Sequence, residues 1–261
     1  MSDLDGRLVC NDVKLRFGGI VALDGVNMHV DAGEVVGIIG PNGSGKTSMI
    51  NVLSGYYQPT SGSVVFDGRR IDGHRPQELR RMGIARVFQN LRLYNGLTVL
   101  ENMELGMVQD MSSALGVVRA TFGSIIGRRQ TKLRQNARER ASVLLSENGF
   151  GALADMHVGS LSYGQRKELE LLRAIIEPPR LLLLDEPTSG VAHSDADLIK
   201  ERLLEWQAQF GFAVVIVEHR LGWLFDVAHR VVALSSGTLL AEGSPEEVAA
   251  DPVVRSAYVG K

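Results

Sequence analysis

The 261-residue chain holds one cysteine, no long apolar run and no excess of charge of either sign, and each shortage excludes something. Cys10 cannot make an internal disulfide, and its apolar, strand-like neighbours predict a buried thiol in a reducing, cytosolic compartment. A membrane-crossing helix needs about 20 mostly apolar residues in succession. The apolar stretches at 35–39, 181–184 and 213–217 are far shorter, so any membrane role is expected to come through a partner. The start, Met1-Ser2-Asp3-Leu4-Asp5, carries acids and lacks the basic segment that precedes the apolar core of a secretory signal. A net charge of −2 gives no general attraction to nucleic acid, so no nucleic acid is expected as a partner. Repeats and low-complexity tracts are also missing. What remains, with 44% hydrophobic residues, suits a globular chain that buries a large core, either one large domain or two closely joined lobes.

Residues 8–17 and 26–30 are β-rich and punctuated by Gly18-Gly19 and Gly25, which predicts strands of an antiparallel edge or subdomain. A strand over 34–39, a Gly-rich loop and a helix from Lys46 to about Ser54 then open a parallel α/β unit. The runs 181–184, 213–217 and 231–234 are continuously apolar, as in central parallel strands covered on both faces. A helix over 194–210, with Ser194 as N-cap, joins two of them. Between 97 and 159 the sequence turns helix-forming, with Arg128, Arg129, Lys132, Arg134, Arg138 and Arg140 on a polar face. This is the pattern of an inserted helical lobe with a solvated basic face, or of one touching acidic lipid or a partner. Ser244-Pro245-Glu246-Glu247 predicts a capped helix start.

Gly40-Pro41-Asn42-Gly43-Ser44-Gly45-Lys46-Thr47 fits the phosphate-loop (Walker A) pattern at every specified position, between a strand and a helix. Its glycines let backbone N–H groups turn toward phosphates, Lys46 supplies a point charge for the β and γ oxygens, and the Thr47 hydroxyl can bind Mg²⁺. Asp185 and Glu186 end an apolar strand, where ligands collect in open α/β sheets. Gln89, in Val87-Phe88-Gln89-Asn90, and His219, after the strand 213–217 and Glu218, would each mean little alone. Leu161-Ser162-Tyr163-Gly164-Gln165 carries a capping box from Ser162 to Gln165 that opens a helix over 166–176, with free N–H groups and a positive dipole end facing outward.

Taken in order, the Gly-rich loop, Gln89, the Ser162 segment, the carboxylate pair and His219 resemble the ATP-binding subunit of an ABC transporter, over almost the whole chain. The resemblance implies an α/β phosphate-loop NTPase core with a mainly parallel central sheet, an antiparallel β-subdomain and an inserted helical lobe. It divides a single ATPase domain, 1–261, into a core of 1–96 and 177–261 and a lobe of 97–176. It implies ATP and Mg²⁺ as ligands, with Asp185, Thr47 and Gln89 about the metal and Glu186 polarising the attacking water. Gln89 would sense the γ-phosphate and link core to lobe, His219 would contact the γ-phosphate, and Phe17 would stack on adenine. Ser162, Gly164 and Gln165 would close over the ATP of a second ATPase subunit, like or similar. Transmembrane permease subunits would be the other direct partners, with a solute-binding protein indirectly, and the chain would sit peripherally on the cytoplasmic face of the cytoplasmic membrane.

Two residues depart from the usual pattern of that family. Tyr163 stands where most members have glycine, and Leu-Ser-Tyr-Gly-Gln resembles the variant of branched-chain amino acid uptake ATPases. Arg16-Phe17-Gly18-Gly19-Ile20-Val21-Ala22, the long helical insert and the ending Ala257-Tyr258-Val259-Gly260 point the same way. Urea or amide importer ATPases and the lipopolysaccharide exporter ATPase share much of this pattern, the last with a shorter insert. Ala192 occupies a position where members commonly carry Asp or Asn that helps couple two ATP sites. Soluble relatives acting on DNA or ribosomes would show a long coiled-coil insertion or two ATPase units, and neither is present. The intact Asp185-Glu186 and His219 argue against a subunit that binds nucleotide without hydrolysing it.

Overall fold

The computed structural model describes residues 7–107 and 128–259, and the side chains of these except 128–134 and 259. The chain divides into two compact units, residues 1–89 with 179–261 and residues 90–178.

Among its described residues the first unit contains two sheets. Strands β1 (Leu8–Phe17), β2 (Ile20–Val30), β4 (Ser61–Phe66) and β5 (Arg69–Arg70) form an antiparallel sheet in the order β2-β1-β4-β5. Gly25 does not end a strand as its sequence context predicts. It lies inside β2 beside register shifts, with φ +79°, while Asp12 across from it takes φ +46° and the Asn27 side chain accepts the Asp12 N–H at 2.9 Å. Left-handed backbone at both positions lets the ladder absorb the irregularity and run on.

The second sheet holds β3 (Val35–Ile39), β6 (Ile84–Val87), β7 (Leu181–Asp185), β8 (Ala213–Val217), β9 (Arg230–Ser235) and β10 (Thr238–Gly243), in the order β10-β9-β3-β8-β7-β6. Every pairing from β9 to β6 is parallel, with Val35 opposite Val214, Leu181 opposite Ala213 and Val87 opposite Leu184. Only β10 runs antiparallel, as a hairpin on β9. All residues of β3, β7 and β8 are buried, which explains their unbroken apolar sequence. Parallel strands share a direction, so the residues just past β3, β6, β7 and β8 gather along one edge of the sheet.

Helix α1 (Lys46–Leu53) follows β3, and its Met49, Ile50 and Leu53 pack with Cys10, Val13 and Phe66 of one sheet and Ile38, Leu183 and Val215 of the other in one core. A short α2 (Pro76–Arg81) precedes β6. Ser244 caps a helix as its sequence predicts, with Glu247 completing the box, whereas the N-cap expected at Ser194 falls two residues earlier, on Ala192.

The second unit contains α3 (Val99–Gly106), α4 (Arg128–Glu147) and α5 (Tyr163–Ile175). Thr98 caps α3 through a capping box with Glu101, and fully buried Asn102 bonds the Tyr94 and Thr98 carbonyls and the Tyr94 N–H. Of the expected basic face, Arg128, Arg129, Lys132 and Arg134 lie outside the described side chains. Arg140 is exposed, and Arg138 pairs with Glu104 at 3.2 Å. Helix α6 (His193–Phe210), α7 (Leu221–Val227), α8 (Pro245–Ala250) and α9 (Pro252–Val259) belong to the first unit. Among the described residues no helix is long and apolar enough to cross a membrane.

Candidate functional site

The loop from Gly40 to Thr47 leaves β3 at the edge where the parallel strands end. Two of its glycines are demanded by space as well as conformation. A Cβ on Gly40 would meet the Leu234 carbonyl at 2.3 Å and the Ser44 hydroxyl at 2.4 Å, and one on Gly45, at φ +106°, would meet the Ala22 carbonyl at 2.7 Å. Gly45 is also the N-cap of α1, so no side chain satisfies the first N–H groups of that helix, and its first turn holds no acid. Uncapped N–H groups at the positive end of a helix dipole suit an anion. The buried Ser44 hydroxyl has no partner of its own, an orphan that a phosphate oxygen would satisfy. Pro41, Asn42 and Gly43 form the outer turn, with Asn42 and Gly43 exposed.

Lys46 folds back over this loop, its ammonium donating to the Gly40 carbonyl at 2.8 Å and the Pro41 carbonyl at 3.0 Å. Burial holds its pKa below the usual lysine value, and the negative charge of Glu186 works in the opposite direction. Thr47, next in the chain, is exposed.

Asp185 and Glu186 leave β7 into different surroundings. Asp185 is 7% exposed, and its Oδ2 accepts from Arg86 at 2.7 Å. The same guanidinium donates to Asn51 Oδ1 at 2.6 Å and to the Ser54 hydroxyl at 2.7 Å. It also lies over the Phe88 ring, 4.4 Å from the centroid. Glu186 takes a positive φ, +49°, rare for a residue with a side chain. Its carboxylate is held at both oxygens: Gln89 donates to Oε2 at 2.6 Å, and His219 Nε2 lies 2.9 Å from Oε1. Three residues far apart in sequence, from the ends of β6, β7 and β8, thus meet at one carboxylate.

Phe17 sits at the end of β1, 44% exposed, with the Tyr57 ring edge-on to it at 5.0 Å. In the second unit Ser162 is the N-cap of α5, accepting from the Gln165 N–H at 3.2 Å while the Gln165 side chain accepts from the Ser162 N–H at 2.9 Å. The helix starts at Tyr163, not three residues later: a capping box spans the N-cap and the third helical residue, so the residues between them are already helical. Gly164 is buried there.

Sequence reasoning missed Arg86 and Glu218. A cation within the apolar strand Ile84-Ala85-Arg86-Val87 was the available signal for the first, since a buried guanidinium needs a partner. Glu218 carried a weaker one, an acid directly after five apolar residues.

No group of three or more His, Cys, Asp or Glu side chains that could hold a metal ion occurs among the described residues. Mg²⁺ in phosphate sites takes one or two carboxylates and completes its shell with waters and substrate oxygens, and a set of Asp185, Thr47 and Gln89 fits that chemistry.

A parallel sheet with a Gly-rich phosphate loop after one strand and a carboxylate pair after another is the architecture of a phosphate-loop ATPase. The chain belongs to the ABC transporter family, whose model matches residues 23–189. A second model, described as a branched-chain amino acid ATP-binding cassette transporter, matches 238–261. Relatives include the high-affinity branched-chain amino acid transport ATP-binding protein BraF of Pseudomonas aeruginosa, 34% identical over 97% of this chain and 98% of that one. Another is the probable branched-chain amino acid transport ATP-binding protein LivG of Methanocaldococcus jannaschii, 35% identical over all of both chains. Among solved structures, an ATP-binding cassette of an ABC transporter in its ADP conformation superposes with a TM-score of 0.83 at 34% identity, covering 97% of this chain and 98% of that one. A nucleotide-free cassette from an ABC transporter gives 0.82 at 33% identity, covering 97% and 99%.

Proposed function

We propose that this chain is the ATP-hydrolysing subunit of an importer for branched-chain amino acids or a related small solute, bound peripherally to the cytoplasmic face of a membrane permease. The observation that carries the enzymatic half is the Glu186 carboxylate, held between Gln89 and His219 at the end of β7, one strand removed from the β3 that leads into the phosphate loop. Support for the solute comes from the full-length relatives that transport branched-chain amino acids and from Tyr163.

In this reading the loop N–H groups, the Ser44 hydroxyl and the N-terminus of α1 bind the phosphates. Lys46 exchanges its two neutral carbonyl partners for charged β and γ oxygens, a change of acceptors that keeps the ammonium hydrogen-bonded and pairs its charge. Phe17 presents an aromatic face for the adenine. Thr47, Asp185 and Gln89 would hold Mg²⁺, which would neutralise charge on the phosphates. Arg86 fixes Asp185 by donating to its Oδ2. Glu186 accepts a hydrogen bond from the attacking water and orients it, while His219 moves from that carboxylate to the γ-phosphate. The N-cap of α5, with Ser162, Gly164 and Gln165, supplies donors to the nucleotide of a second ATPase subunit, and residues 97–176 act as the lobe that carries it.

Glu186→Gln keeps the size and one acceptor but removes the negative charge that polarises water. ATP binding, read by a fluorescent ATP analogue, should persist while kcat falls about 100-fold or more. Near wild-type hydrolysis in this variant would sink the assignment of Glu186. For the solute, co-purification with the permease subunits followed by ATPase assay against amino acids, amides and urea should show stimulation by branched-chain amino acids. Stimulation by urea or amides alone, or export of lipid, would replace that part of the reading.

A further inference from the structure

Glu218 stands between β8 and His219, 3% exposed, and collects four hydrogen bonds. Its Oε2 accepts from the Thr188 N–H at 3.2 Å and the Thr188 hydroxyl at 2.8 Å; its Oε1 accepts from the N–H groups of His219 at 2.8 Å and Arg220 at 3.2 Å. Arg220 closes the ring, donating from Nη2 to the Val191 carbonyl at 2.6 Å. Two loops from different strands, 186–192 and 218–220, are therefore joined through one side chain and one guanidinium. An ionised carboxylate is the group that can do this, because both of its oxygens accept and neither donates. Burying that charge is costly unless its bonds are made, so the arrangement selects for the complete set.

We propose that Glu218 is a positioning residue that fixes His219 to the loop after Glu186, so that displacement of His219 by bound nucleotide is carried through Thr188 and Val191 to Ala192 at the start of α6. Glu218 itself touches no phosphate. The inference rests on the reading of His219 given above.

Glu218→Gln preserves length but offers one acceptor oxygen, and its NH₂ faces N–H donors on the other side, so one loop is released. In the full-length chain, KM for Mg-ATP should stay within about 2-fold while kcat falls about 10- to 100-fold, the scale of a misplaced catalytic group. Hydrogen exchange supplies a readout that a merely structural role would not move. On adding ATP, peptides covering 186–193 and 218–222 should change protection together in the wild type and separately in the variant. Thr188→Val cuts a single bond and should lower kcat less, and combining it with Glu218→Gln should be less than additive. Wild-type kcat in Glu218→Gln, coupled exchange that survives, or a loss of activity that follows melting temperature with KM rising in parallel would overturn the proposal. His219→Ala in the same assay separates the two readings. If it turns over normally, the role of His219 is wrong; if it is slow while Glu218→Gln is fast, only the role of Glu218 is wrong. Should Glu218→Gln not fold, Arg220→Ala cuts the tie to Val191 at a partly buried site. It should show the same KM and kcat split, at about 5-fold, with uncoupled exchange; wild-type kcat or coupled exchange there would overturn the proposal equally.

Discussion

Asp185 and Glu186 are neighbours in sequence with the same chemistry, and the fold gives them different surroundings. Asp185 ends β7 facing inward, where Arg86 neutralises it at 2.7 Å, and both side chains are almost wholly buried. Removing the guanidinium while keeping apolar bulk, as in Arg86→Met, strands a buried carboxylate and should cost about 3–5 kcal/mol in chemical denaturation. A loss under about 1 kcal/mol would mean that water reaches Asp185 and the pair is a surface one. Cys10 is the converse case, a titratable group buried with no charge to help it, and burial pushes its thiol from 9.0 up to about 12. The folded pKa is the higher one, so the thiol contributes its full stability below pH 9. As pH rises toward 12 the unfolded chain ionises first and roughly 4 kcal/mol is lost. Alkylation of native protein by iodoacetamide at pH 8 should accordingly be slow and become fast only with denaturant. Arg86 was hard to recognise in the sequence as part of the site, because its partner lies 99 positions away.

Caps decide where helices begin, and here they divide sharply in legibility. Ser162 with Gln165, and Ser244 with Glu247, were readable because a capping box is closed within four residues. Helix α6 was expected to be capped by Ser194 and is capped two residues earlier by Ala192, whose backbone is extended at φ −62° and ψ 159° and whose methyl group satisfies nothing. The start is set by the neighbouring loop, where Val191 is held by Arg220, rather than by a local capping side chain. Ala192→Asp should therefore stabilise the protein by about 1 kcal/mol through a hydrogen bond to the first turn of α6. Thermal unfolding checks this, and an unchanged or lower midpoint would show that the cap geometry is not met. The same substitution also tests communication between ATP sites. With Ala192 weakening that communication, Asp should raise the cooperativity of ATP hydrolysis in the assembled transporter; unchanged cooperativity would remove that role.

For the molecule as a whole, the N-terminus of α5 carries a complete cap, so Ser162 and Gln165 already have partners within their own helix. In the proposed function this helix end would face the nucleotide of a second ATPase subunit, which would make the ATP site a property of two subunits. Glu186→Gln, slow to hydrolyse, should accumulate as a dimer in ATP and return to monomer in ADP, as light scattering behind size exclusion would show. Dimer of the same abundance without nucleotide would separate self-association from ATP.

The sequence by itself determined the local chemistry: the phosphate loop, the capping boxes, the apolar runs of the parallel strands and the order of motifs. Each is written in residues a few positions apart and acts through backbone geometry that those residues dictate. Only the tertiary structure decided which side chains share a carboxylate. Gln89, Glu186 and His219 converge because three parallel strands end along one edge, and Arg86 and Glu218 matter because burial forbids a charge to stand unpaired. Coulombic and hydrogen-bond partners are chosen by distance in space, and spacing along the chain does not encode that distance until the sheet has set it.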